Sequence, residues 1–297
     1  MALYYDNSLT GTIYQGSNLL GSMYYNNGQV NQGYPVDPDA NAFIIATGIT
    51  GLDATAITQL VIDLKLYNVW DKLQAAYPFV GGTANSNKYN LVNPVDSDAA
   101  FRLTFYGGVT HNSNGVTFDG INGYANTYFN CSASFVNGTQ SAHISVYNRT
   151  NDANTTGSEF FMGAREFITG RYCAIQFEPT RQNYCAVNVP EVRNLPDYTS
   201  LQGFILATRP IYNGEFYYFN STLIGDKPVV VSTSVPSSSL AIGARSNNPD
   251  GSPQSGTYTA YNCAFATIGT GLVSGSNEET NLYNAIQTYQ TTLGRQV

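Results

Sequence analysis

Apolar and polar residues alternate along most of this chain with the period of a β-strand, and only two stretches shift to the period of a helix. The opening is the most regular part. "LTGTIY" (9–14) and "LLGSMY" (19–24) are one phrase written twice, ten positions apart. Leu3-Tyr4, Ile13-Tyr14 and Met23-Tyr24 are apolar–tyrosine pairs in step with it, and Tyr34 follows. Each unit reads as a short strand closed by Gly, Asn or Ser, as in "QGSN" and "YNNGQ". A meander this small cannot cover its own apolar face. It lies against the edge of a larger domain, or it docks on a sister subunit or another protein. Residues 1–34 are therefore a candidate anchoring segment, with Leu3, Tyr4, Ile13, Tyr14, Met23 and Tyr24 as the contact residues. Pro35 and Pro38 then oppose helix and strand pairing alike, so 35–41 reads as a linker.

The first helical period falls in a lead-in covering 42–99. Asp53 is placed to cap a helix whose stripe is Ile57, Leu60, Val61, Leu64 and the adjacent Leu66. A turn at Tyr67-Asn68 leads to a second short helix, "VWDKLQAAY" (69–77), stopped by Pro78. Trp70, the only tryptophan, sits on its apolar side, where it packs in the core or serves as a stacking surface for a ligand. From 100 to 270 the chain reads as short strands, among them 101–109, 142–149, 158–165, 172–179, 203–209, 214–220, 227–234, 240–245 and 259–269. So many strands at this spacing predict two stacked sheets, with 100–297 as the sandwich domain. The second helical period closes the chain. Ser276 or Asn277 caps it, Glu278 and Glu279 occupy the first turn, Leu282, Ile286, Tyr289 and Leu293 form the stripe, and Gly294 ends it.

Composition sharpens this picture. Of 297 residues, 42% are apolar, enough for a full core, while only 11% are charged, against about 25% in ordinary domains. Tyr (23) and Gly (28) are abundant, which suits strands, tight turns and contact surfaces free of charge. A net charge of −7, with 13 scattered Lys and Arg, argues against nucleic acid as a partner. No apolar run reaches membrane-spanning length, and "MALYYDNS" lacks the basic start and apolar stretch of a secretion signal. The four cysteines, Cys131, Cys173, Cys185 and Cys263, lack zinc spacing; Cys173 and Cys185 could bridge adjacent strands in an oxidising setting.

Catalytic groups are sparse. There is no G-x-S-x-G elbow, and His143 reads as an ordinary strand position. None of the seven glutamates has an acidic partner two or four residues away, as a same-strand glycosidase pair requires. Asp96 and Asp98 form the best carboxylate pair, in a stretch that suits a turn better than a dyad or a calcium site. The glycines of "IGTGLVSG" (268–275) miss the dinucleotide fingerprint. These observations predict a non-enzymatic protein without cofactor or metal. Sugar binding fits better: "HNSNGVTFDGINGY" (111–124) offers Asn112, Asn114, Asp119 and Asn122 as a candidate ligand loop, residues that turns also require.

Two stretches resemble a known group. Residues 60–108, with "VWDKLQAAY", and residues 263–297, ending "TTLGRQV", are similar to segments of structural proteins of tailed bacteriophages. "GEFYYFNSTLIG" and "LAIGAR" resemble paired strands of concanavalin A-like (laminin G-like) jelly rolls. The resemblance implies a mainly β protein: an N-terminal short-strand meander, a helix pair, a jelly-roll sandwich and a C-terminal helix. It implies a virion location as a fibre, capsid or tail appendage, made in the bacterial cytoplasm. Implied partners are further copies of the chain as a homo-oligomer, capsid or tail proteins, and host-surface glycans. It brings no catalytic motif.

Overall fold

A computed structural model of the chain describes residues 10–15, 18–26, 29–33, 37–136, 141–151, 159–166, 170–177, 183–189, 193–195, 202–210, 214–227, 235–248 and 250–297, with the backbone alone for some of them. The protein is mainly β. Two eight-stranded sheets form a jelly-roll sandwich, and a separate three-stranded sheet stands at the N-terminal end.

One sheet runs in the order Thr222–Lys227, Glu215–Phe219, Gly203–Arg209, Ala142–Asn148, Asn262–Gly269, Gly115–Phe118 and Val109–Asn112, with Leu73–Tyr77 also paired to Asn262–Gly269. The other runs Arg193–Leu195, Asn183–Val189, Tyr172–Phe177, Glu159–Arg165, Ser239–Ile242, Tyr124–Asn130 and Thr104–Tyr106. Pairing is antiparallel except where the short strand Arg245–Ser246 lies parallel to Glu159–Arg165. Between the sheets sit Phe118, Phe129, Ile144, Val146, Phe161, Met162, Ile175, Val187, Ile205, Leu240, Ile242 and Ile268. Each large side chain taken out of water there contributes roughly 1.5–3 kcal/mol.

Three helices, Pro38–Thr47, Gly51–Leu66 and Glu278–Thr292, cover the outside of the first sheet. Phe43, Ile57, Leu60, Leu64, Leu282, Ile286 and Tyr289 pack there on Tyr147, Phe204, Leu206 and Phe265. This third layer explains why Ala142–Asn148 and Gly203–Arg209 are buried along their whole length. Successive side chains enter opposite layers, and neither layer is solvent. The predicted C-terminal helix is present with its stripe: Leu282, Ile286 and Tyr289 are buried, and Gly294 takes a φ of 66° beyond its end.

Several expectations are corrected. Pro38 does not break structure. It occupies the first turn of the helix Pro38–Thr47, where its missing N–H is no loss, and Asp37 accepts the Asp39 N–H at 3.0 Å as N-cap. Asp53 lies inside the first turn of Gly51–Leu66, extended Thr50 is the N-cap, and Leu66, expected in the stripe, is exposed at the helix end because the chain turns there. Residues 69–77 are not a helix. A 3₁₀ turn, Trp70–Lys72, precedes the strand Leu73–Tyr77. Leu73 and Ala76 face the helical layer while Ala75 and Tyr77 face the sandwich core, so the run is apolar on both sides and its periodicity does not separate helix from strand. The helix pair before the sandwich is therefore Pro38–Thr47 with Gly51–Leu66. The strand expected at 101–109 shrinks to Thr104–Tyr106 because Phe101 takes φ 59° at the end of a 3₁₀ turn. The register sets Cys173 opposite Val187 and Cys185 opposite Ile175, so these two cysteines do not face each other, and all four thiols are buried and free. The 228–234 portion of the strand expected at 227–234 lies outside the described residues.

The opening beat becomes Thr10–Gln15, Asn18–Asn26 and Gln29–Gly33, antiparallel and, among the described strands, paired only with one another.

A tryptophan cleft and a tyrosine ladder as the candidate functional site

Where Gly51–Leu66 ends, Tyr67 closes the helix, and Asn68 turns the chain with a φ of 57°. Buried Val69 pins this turn to the helical core, and the short 3₁₀ turn that follows leaves Trp70 half-buried. Trp70 thus packs against the helical layer and also lines a cleft of about 340 Å³, together with Asp39, Lys65, Asn68 and Asp71. Lys65 sits in the last helical turn, where a cation is favoured. It is fixed by Asp37 at 2.7 Å and Asp39 at 2.6 Å, and its Nζ lies 5.3 Å from the Trp70 ring centroid. Burial opposes its charge, but the two carboxylates outweigh that and hold its pKa above the usual lysine value. Asn68 and Asp71 are exposed, and their side chains hydrogen-bond to no described residue. The cleft therefore offers an aromatic surface, a free amide, a free carboxylate and an anchored ammonium.

A second aromatic group lies on the outside of the other sheet. Tyr106 and Tyr124 are cross-strand partners with ring centroids 4.9 Å apart and planes at 14°, and Tyr258 continues the row 6.3 Å from Tyr124. Tyr106 is 43% exposed. Alternation sends Leu103 and Ala125 inward and leaves these rings facing out.

The candidate ligand loop is divided by the fold. Asn112 and Asn114 lie at the tip of the hairpin Val109–Asn112/Gly115–Phe118, and Asp119 and Asn122 follow its other end. Asp119 Oδ1 accepts the N–H groups of Ile121 (2.9 Å), Asn122 (3.0 Å) and Gly123 (2.8 Å). Burial opposes its charge, but the backbone bonds together outweigh it and hold its carboxyl below the usual range. Asn122 Oδ1 accepts from Gly108 N at 2.8 Å, and Asn112 Oδ1 from Asn114 N at 2.8 Å. These side chains fold the turns. A Cβ on Gly108 would lie 1.9 Å from Asp119 Oδ2, which is why a glycine stands there.

Among the anchoring candidates, Leu3 and Tyr4 lie outside the described residues. Ile13 and Tyr14 are on the first strand, opposite Gly21 and Leu19. Met23 and Tyr24 are on the middle strand, opposite Gln32 and Asn31 on its other side.

Several other titratable groups are engaged in the fold. Asp96 pairs with Lys88 at 2.7 Å and Arg102 at 3.5 Å, and Asp98 with Arg102 at 2.9 Å. His143 is buried, bonded to Thr270 O at 2.6 Å and to Thr267 Oγ1 at 3.1 Å, and burial lowers its pKa to about 4, so it is neutral at pH 7. His111 lies 3.0 Å from the Asn87 amide, edge-on to Phe105. No group of three or more potential metal ligands occurs among the described residues.

Sequence reasoning missed Glu215. It is 2% exposed between the sheets, where it accepts the Tyr217 hydroxyl and, at 3.2 Å, the Val187 N–H. Burial raises its pKa to about 7, against the pull of Tyr217 and of Arg209. The signal was available: in "GEFYYF" strand alternation puts Glu215 on the face of Tyr217. Tyr106 and Tyr124 had a signal of the same kind, each standing beside an apolar residue of its strand.

No protein family and no curated protein matches the sequence. Among solved structures the chain is similar to Trypanosoma rangeli sialidase, in complex with 2,3-difluorosialic acid (TM-score 0.46, 11% identity, 94% of this chain and 44% of that one) and with the inhibitor DANA (TM-score 0.47, 12% identity, 92% and 43%). It is also similar to the binding domain of botulinum neurotoxin serotype D (TM-score 0.46, 11% identity, 72% and 52%). The chain spans about half the length of these structures, 44% and 52% in the two cases. Similarity at that level transfers neither an activity nor a ligand.

Proposed function

We propose that this chain is a non-enzymatic glycan-binding protein of a bacteriophage particle, joined to the particle through residues 1–34 and displaying its jelly roll to saccharides of the host surface. The observation that carries the glycan reading is the cleft at Trp70. A pyranose presents C–H groups that pack on an indole and hydroxyls that pair with amides and carboxylates, and Trp70, Asn68 and Asp71 supply that set over about 340 Å³. The particle reading is supported by the resemblance at 60–108 and 263–297, and by a meander whose strands pair with no other described strand. Such a ribbon gains most by burying its residues against sister chains or a capsid or tail protein.

Two experiments test it. A glycan array probed with the protein and with Trp70→Ala should give hits that the variant loses. Hits that persist in the variant remove the cleft from the account. Mass spectrometry of purified particles should find the chain at fixed copy number, and its absence ends the particle reading.

A further inference from the structure

On the face of the second sheet away from the core, two guanidinium groups converge without a counter-charge among the described residues. Phe161, Met162 and Ala164 enter the sandwich, which leaves Phe160, Gly163 and Arg165 on the outside; likewise Cys173 and Ile175 go in and Tyr172 goes out. Arg165 and Tyr172 are cross-strand partners, with the Arg165 Cζ 5.1 Å from the Tyr172 ring centroid. Arg245 reaches the same ring from the parallel strand, its Cζ 5.7 Å from Tyr172 and 4.6 Å from Phe160. It passes over Gly163, where a Cβ would come within 3.2 Å of its Cγ, so the glycine leaves room for the arginine.

Neither arginine forms an ion pair among the described residues. Arg245, 8% exposed, is steadied by the side-chain oxygens of Asn247 (3.2 Å) and Gln254, both neutral. Arg165 donates no guanidinium hydrogen bond to a described residue, and its Nε–H is buried without a partner among them. The neighbouring carboxylate, Glu166, is turned to Ser237, whose hydroxyl donates to it at 2.7 Å. Two like charges beside one ring, one of them 8% exposed and neither paired with a described carboxylate, are stabilised by an anion that joins them. A planar guanidinium with free parallel N–H groups matches a carboxylate in two-point fashion.

We infer that Arg165, Tyr172 and Arg245 form a binding site for the carboxylate of an acidic polysaccharide. The tyrosine ladder of Tyr106, Tyr124 and Tyr258 lies on this same face, so a polymer held by its acid group at the arginines meets aromatic stacking surfaces further along the sheet. That favours a saccharide chain over an isolated anion. The site lies on the opposite side of the sandwich from the Trp70 cleft and is independent of it, although the choice of a saccharide rests on the glycan reading.

The probes are an oligogalacturonate, its carboxyl-reduced neutral form and oligoglutamate, titrated by calorimetry into the wild type, Arg165→Gln, Arg165→Lys and Trp70→Ala. Arg165→Gln removes no hydrogen bond of the fold, so its melting temperature should stay near that of the wild type. The wild type should bind the oligogalacturonate, more weakly as salt is raised, and should not bind the reduced form through this site. Arg165→Gln should weaken binding at least about tenfold, the loss of one charge-assisted contact, with Arg165→Lys intermediate. Equal binding by Arg165→Gln, equal binding of oligoglutamate, or no binding of the oligogalacturonate by the wild type overturns the inference. Loss in Trp70→Ala alone would move the acid site to the cleft and overturn it as well.

Discussion

Glu215→Gln isolates a buried carboxyl whose ionisation opposes folding. In the folded protein its pKa is about 7, against a model-compound value of 4.5, because burial outweighs Tyr217, Arg209 and the Val187 N–H. The folded pKa is the higher of the two, so folding favours the protonated form. The resulting stability is complete below pH 4.5, declines as pH rises between 4.5 and 7, and is lost above 7. The difference, 7 − 4.5 = 2.5, at about 1.36 kcal/mol for each, amounts to on the order of 3 kcal/mol. Glutamine cannot ionise, and its carbonyl can still accept from Val187 while its amide faces the Tyr217 oxygen, which then serves as acceptor. The assay is urea unfolding of wild type and variant from pH 4 to pH 8. The variant's stability relative to wild type should rise by on the order of 3 kcal/mol across that range. Parallel pH profiles, or a gap that narrows as pH rises, refute the reasoning.

Other perturbations follow from the same geometry. Arg295 is 1% exposed and donates to the carbonyls of Phe79 (2.8 Å), Pro78 (3.2 Å) and Ala264 (3.4 Å) and to Gln290 Oε1 (2.9 Å). Arg295→Ala leaves Phe79 O and Gln290 Oε1 without that donor, while Pro78 O keeps the Tyr289 hydroxyl (3.2 Å) and Ala264 O the Gln290 amide (3.3 Å), so chemical denaturation should show a loss on the order of 4 kcal/mol. Asp119→Ala removes three backbone acceptor bonds; it should cost roughly 1–2 kcal/mol while leaving saccharide affinity unchanged, as measured by thermal melts and calorimetry. Tyr14→Ser combined with Tyr24→Ser should leave the sandwich melting transition in place but reduce incorporation into particles, measured by quantitative mass spectrometry.

Much of the β architecture was legible because alternation reports which face of a strand is covered. Glu215–Phe219 and the C-terminal helix fall where their patterns put them, since each element has its own capping or turn chemistry. Leu73–Tyr77 was not legible: a strand covered on both faces has no alternation, and its neighbours in the sheet lie far along the chain. The hairpin Val109–Asn112/Gly115–Phe118 was hidden for another reason, because its Asn and Gly residues read as loop while its pairing with Asn262–Gly269 is non-local. Trp70 was recognisable as an aromatic on an apolar side. Its half-exposure depends on Asn68 turning the chain at φ 57°, which no periodicity encodes. The arginine pair is separated by eighty positions in sequence and meets only through the parallel pairing of Gly163 with Arg245.

Because Trp70 is the only tryptophan, its intrinsic fluorescence reports on the cleft directly. Titration of the protein with a neutral oligosaccharide selected on the array should shift or quench that emission along a saturable curve, with the same dissociation constant found by calorimetry. Calorimetric binding with no change in tryptophan emission would place the saccharide elsewhere and contradict the account.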